Sequence, residues 1–77
     1  MKIKGGSRAA EKVIVLIRTA QVKQRLMRVY TAKEAEHWIH SPQRLLEGSR
    51  PIDLLSTDAG YMEVDTVIDR LLSDTYL

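Results

Sequence analysis

From Thr31 to Thr57 the chain carries a helix start or stop signal every few residues, which leaves room only for short helices joined by tight turns. Thr31-Ala32-Lys33-Glu34 has the form of a capping box, in which the Thr side chain accepts from a free amide of the first turn and Glu34 reaches back to the cap. That predicts a helix to about His40. Ser41-Pro42 then reads as a restart, with Ser as cap and Pro at a position that needs no N–H. Gly48, following Leu45 and Leu46, suits a left-handed helix stop, Arg50 must be extended before Pro51, and Pro51 opens another short turn. Thr57 caps the last segment, where Val64, Val67, Ile68, Leu71 and Leu72 repeat at i, i+3, i+4, i+7 and i+8 as one buried stripe. The expectation is an all-α fold: a small compact bundle of one long amino-terminal helix, short capped helices and a carboxy-terminal amphipathic helix.

Ahead of this lies a different kind of segment. Residues 1–7, with Gly5-Gly6, read as a flexible start, and residues 8–30 contain neither Gly nor Pro and are long enough for six helical turns. Their apolar positions fall on two stripes. Val13, Leu16, Ile17, Ala20 and Met27 form one, Val15, Val22, Leu26 and Val29 lie nearly opposite, and Arg18, Arg25 and Arg28 occupy a flank between them. A helix with two apolar sides is either clasped twice, by its own domain and by another chain, or broken midway. We assign the second stripe, Val15, Val22, Leu26 and Val29, to self-association as a dimer. The β-branched run Val13–Ile17 also fits a short strand.

Charge divides the chain in two. Residues 1–30 hold eight Lys/Arg against the single acid Glu11, whereas residues 31–77 hold four against nine Asp/Glu. Such a split serves either a basic arm for nucleic acid or two halves that attract each other or a neighbour. The basic half has one aromatic, Tyr30, and so little with which to stack bases. The absence of cysteine excludes disulfides and thiolate metal sites and fits the cytoplasm. The longest apolar run, Val13 to Ile17, falls far short of the ~20 residues that span a bilayer. Glu34-Ala35-Glu36-His37 has a Glu-x-x-His spacing, but it occurs once, so no metal is expected; no nucleophile elbow or phosphate loop is present, and no cofactor or catalytic residue is assigned. Enzymatic activity is not expected.

The order Ala35, Trp38, Ser41-Pro42, Leu46, Gly48, Pro51, Leu54-Leu55, Thr57, Gly60, Val64 and Leu71 resembles the toxin-binding domain of MbcA/ParS/Xre-type antitoxins over about residues 31–75. On that resemblance residues 31–77 form the antitoxin domain, with Trp38, Pro42, Leu46, Gly48, Pro51, Leu54, Leu55 and Gly60 as its scaffold. It implies a protein that binds and neutralises a RES-domain toxin, an enzyme that consumes NAD or transfers ADP-ribose from it, by covering the active-site entrance. The residues nearest the toxin would then be Asp65, Asp69, Arg70, Ser73, Asp74, Thr75, Tyr76 and Leu77. Two positions depart from the family pattern: Gln43 stands where relatives commonly have Asn, and Asp74 where they have a Gly that ends the last helix. Without that Gly the helix is free to run on. No room exists before Thr31 for the family's usual helix-turn-helix domain, so operator binding is not carried over. The alternative is a small basic nucleic-acid-binding or regulatory protein acting through residues 8–30.

Overall fold

In a computed structural model, the backbone is described for residues 3–76 and side chains for residues 10–73. Four helices and one short 310 turn come in the order α1 (Ile3–Leu26), α2 (Ala32–Ile39), the 310 turn (Arg44–Leu46), α3 (Pro51–Leu54) and α4 (Asp58–Tyr76), with no strand among the described residues. Val13–Ile17 is helical, because the uninterrupted segment around it lets it join a 24-residue helix rather than stand alone as a strand. The helix starts earlier than the sequence suggests. Ile3 opens it, Gly5-Gly6 lie within it, and only Met1 and Lys2 of the expected flexible start fall outside the described residues.

At its other end α1 stops at Leu26, and a turn carries the chain to Tyr30, whose N–H still donates to the Leu26 carbonyl at 2.9 Å. The capping box forms as written in the sequence: the Glu34 N–H donates to Thr31 Oγ1 at 3.1 Å, and the Thr31 N–H donates to Glu34 Oε1 at 2.9 Å. Thr31→Ala should therefore cost about 1 kcal/mol. Urea denaturation checks this, with a midpoint shift and an unchanged slope expected.

Ser41 behaves differently from expectation. Its hydroxyl donates backwards to the His37 carbonyl at 2.7 Å, so it closes α2 instead of capping the 310 turn. That turn has no side-chain cap at all and begins after Gln43. Gln43 organises the corner. Its side-chain amide donates to the carbonyls of Trp38 and Ser41, its own carbonyl accepts from Leu46 and Gly48, and its N–H donates to Ser49. The chain then turns through two left-handed residues, Glu47 (φ 57) and Gly48 (φ 83). Pro51 opens α3 after an extended Arg50, and the Arg50 guanidinium grips Asp53 through two 2.9 Å bonds, which hold that carboxyl below its usual range. Thr57 caps α4, accepting from the Gly60 N–H at 3.0 Å.

The core is aliphatic. Val22 and Leu26 of α1 meet Ala35 and Ile39 of α2, Leu46, Leu55, and Val64, Val67, Ile68 and Leu72 of α4. Val15 and Val29, partly buried, pack against this cluster. The stripe assigned to self-association is thus turned inward, and Val22, at 1 % exposure, and Leu26, at 0 %, have no surface left to offer a second chain. The opposite stripe faces outward. Trp38 lies at the rim of the core, half-buried, while Leu26, Ile39, Leu55 and Ile68 are the largest fully enclosed side chains. Among the scaffold positions Leu46, Pro51, Leu55 and Gly60 are buried, Leu54 is half-buried, and Pro42 and Gly48 are exposed at the corner.

Candidate functional site

The two oppositely charged halves are joined within one chain. Arg18 donates to the Leu55 carbonyl at 2.9 Å and to Asp58 at 2.5 Å, with its guanidinium 4.9 Å above the centre of the Tyr61 ring. Further along α1, Arg25 bridges Asp65 and Asp69 of α4, and Tyr61 donates to Gln21 at 2.9 Å. Lys23 reaches Glu36 of α2 at 3.0 Å. The bond to Asp69 is the chief reason that the Arg25 guanidinium holds its proton more tightly than usual, with Asp65 adding to it. Glu36 is held below its ordinary range first by Lys23 and then by His40.

This network changes what the acids of α4 can do. Asp65 and Asp69, one turn apart, would repel each other, yet Arg25 lies between them, offsets one of their two charges and fixes α4 against α1. The remaining predicted contact residues lie elsewhere on the helix. Arg70 stands about 100° around the axis from Asp69. It lines a groove of about 370 Å³ between the 310 turn and α4, with Leu45, Glu47, Glu63, Thr66 and Val67. Between these two flanks runs an exposed ridge of Met62, Thr66 and Ser73. The described structure thus brings Asp65 and Asp69 together, sets Arg70 on the other side of the ridge and places Ser73 near its end. Asp74, Thr75 and Tyr76 continue α4 as backbone, their side chains lie outside the described residues, and so does the whole of Leu77.

Two side chains on this surface escaped the sequence reading. Met62 is 67 % exposed and Leu45 55 % exposed. Their signal is positional: each is a large apolar residue standing off the buried stripe of its own element, where a polar residue is ordinary. A second, larger hollow of about 750 Å³ opens beside α2, where Tyr30 and Trp38 are joined by Lys33, Glu34 and His37. His37 itself is exposed, and His40 lies 3.2 Å from Glu36. Among the described residues no three His, Asp or Glu side chains converge as a metal-binding group. No helix of the described residues is long and apolar enough to cross a membrane.

The structure thus offers a helical platform, α4 tied to α1 through Arg18 and Arg25, with an uncharged exposed ridge of Met62, Thr66 and Ser73 between charged flanks, a form suited to binding another protein. Residues 25–73 match the family of the antitoxin Xre/MbcA/ParS C-terminal toxin-binding domain. The match covers more than half of the chain, and the chain belongs to this family, whose members are binding domains with an antitoxin role and a toxin as partner. Comparison with curated proteins and with solved structures gave no match. The matched span begins six residues before Thr31, at Arg25, and so takes in the residue that clamps α4.

Proposed function

We propose that this chain neutralises a RES-domain toxin, one that consumes NAD or transfers its ADP-ribose, by laying the end of α4 and the residue beyond it over the entrance to the active site. The observation that carries the reading is the course of α4. Its last buried residue among the described side chains is Leu72, yet the helix continues to Tyr76, one further turn. Asp74, in place of a helix-ending Gly, accounts for that extension. An arm held in helical form loses little conformational freedom on entering a cleft, so more of the contact energy appears as affinity. Arg25 and Arg18 fix the base of the same arm.

The choice of a RES-domain enzyme rests on the family resemblance. The competing reading, nucleic-acid binding through residues 8–30, is weakened because Arg18, Lys23 and Arg25 are each engaged by acids of the same chain. Phosphate contact would need those cations free.

Removal of residues 73–77 tests the proposal. NAD consumption by the toxin, suppressed by the full chain, should return almost completely with the shortened chain, whose circular dichroism should show the loss of about one helical turn and no more. Suppression that survives the deletion would place the inhibitory contact elsewhere.

A further inference from the structure

The groove between the 310 turn and α4 keeps its charges unspent. From Glu34 to Asp69 every acid but two is bonded within the chain: Glu34 to the Thr31 N–H, Glu36 to Lys23 and His40, Asp53 to Arg50, Asp58 to Arg18, and Asp65 and Asp69 to Arg25. The two exceptions, Glu47 and Glu63, both line this groove, exposed and with no side-chain partner among the described residues. Arg70 lies in the same groove two turns along α4 from Glu63, about 10 Å up the axis, and pairs with neither acid. Leu45, 55 % exposed, and Val67 supply an apolar wall.

Glu47 has a second peculiarity. It is the one described residue other than glycine with a positive φ, 57°, a conformation that glycine or asparagine takes more easily than glutamate. The side chain is exposed at a corner, where no core packing calls for glutamate. Strain kept in such a place points to a task for the side chain outside its own chain.

We propose that this groove anchors the toxin, which enters it with an arginine held by Glu47 and Glu63. The inference rests on the antitoxin reading above and adds to it a contact separate from the arm at the end of α4. Charge decides the occupant: two unpaired carboxylates repel a phosphate backbone and attract a cation. Arginine suits the site better than lysine, because its flat, weakly hydrated head and apolar stem can lie along Leu45 and Val67 while its fork meets the carboxylates. Arg70 sets the direction, since a segment laid the other way would bring its cation against a like charge. Affinity and inhibition are then divided between the groove and the arm.

Calorimetric titration of a purified RES-domain toxin with the full chain separates the two. Glu47→Asn combined with Glu63→Gln should weaken binding about tenfold or more. At saturation this variant should still suppress NAD consumption, because its arm is intact. Glu11→Gln, which removes an equal charge from an exposed site on α1, should bind as the parent does. Glu47→Asn alone should leave the urea midpoint at or above that of the parent; a merely structural Glu47 would give a lower midpoint and unchanged affinity. Undiminished affinity of the double variant, or an equal loss with Glu11→Gln, would overturn the groove while leaving the antitoxin reading in place. A parent chain that the toxin does not bind at all would overturn both.

Discussion

Gly60→Ala should bring the domain close to unfolding at room temperature. Gly60 is buried where α3 runs into α4, and a Cβ placed on it would overlap the carbonyl oxygen of Leu54 and lie 2.9 Å from both the Leu54 carbonyl carbon and Thr57 Oγ1. The obstruction is backbone, which cannot swing aside as a side-chain tip would. Relief requires that α4 move away from α3 or that the Thr57 cap open, and either displaces Leu55 and Val64 in the core. We expect a loss of about 3 kcal/mol or more, the upper end of what overpacking costs. For a chain of this length, whole-domain stability is of order 4–12 kcal/mol. Urea denaturation followed by circular dichroism reads it directly. Gly48→Ala makes the informative companion, since Gly48 has open space around it and only its φ of 83° to protect. Left-handed backbone without glycine costs about 1–2 kcal/mol. A Gly60→Ala variant no less stable than Gly48→Ala would contradict the close approach of α3 to α4.

Val22→Asp has an effect of similar size for a different reason, and it separates two views of α1. If Val22 belonged to an interface, a carboxylate there would dissociate the particle and leave folded monomers. Placed at 1 % exposure among Leu26, Ile39 and Ile68, it must instead bury an unpaired charge or take up a proton. The expected outcome is loss of cooperative unfolding at neutral pH, with about 4 kcal/mol or more removed. The buried carboxyl would have its folded-state pKa raised above the unfolded value, so stability should recover in part as the pH falls through that raised pKa. Folded monomers at neutral pH would show that the inner face of α1 had been misassigned.

The contrast between these two stripes marks the boundary of what was legible in the sequence. Elements whose signals are local were readable: the Thr31–Glu34 capping box, Pro51 as an opener, Thr57 as a cap and the Val64–Leu72 stripe all depend on residues close to one another along the chain. The orientation of α1 is not local. Both its stripes are apolar and of similar length, so periodicity gives no preference. Arg18 and Arg25 decide it, by finding acids forty or more residues away in α4 and thereby turning Val22 and Leu26 inward. The reversal of Ser41 has a smaller cause of the same kind. A hydroxyl next to Pro can serve the helix behind it as well as the turn ahead, and Gln43, whose side chain spans the corner, leaves it the former role.

The candidate site was legible only in part for a related reason. Asp65 and Asp69 looked available because their partner, Arg25, lies in the other half of the chain. Met62 and Leu45 were passed over because single apolar residues off a stripe are common on protein surfaces. Leu45 gains its meaning from the groove it shares with Arg70, which only the packing of the 310 turn against α4 creates, and Met62 from the exposed face of α4 it shares with Thr66 and Ser73.

That this chain is an antitoxin acting by occlusion is tested most directly by titrating a RES-domain toxin with the purified chain while NAD consumption is followed. Turnover should fall in proportion to the chain added and be abolished near equimolar sites. Undiminished turnover in the presence of a large molar excess of folded chain would contradict occlusion.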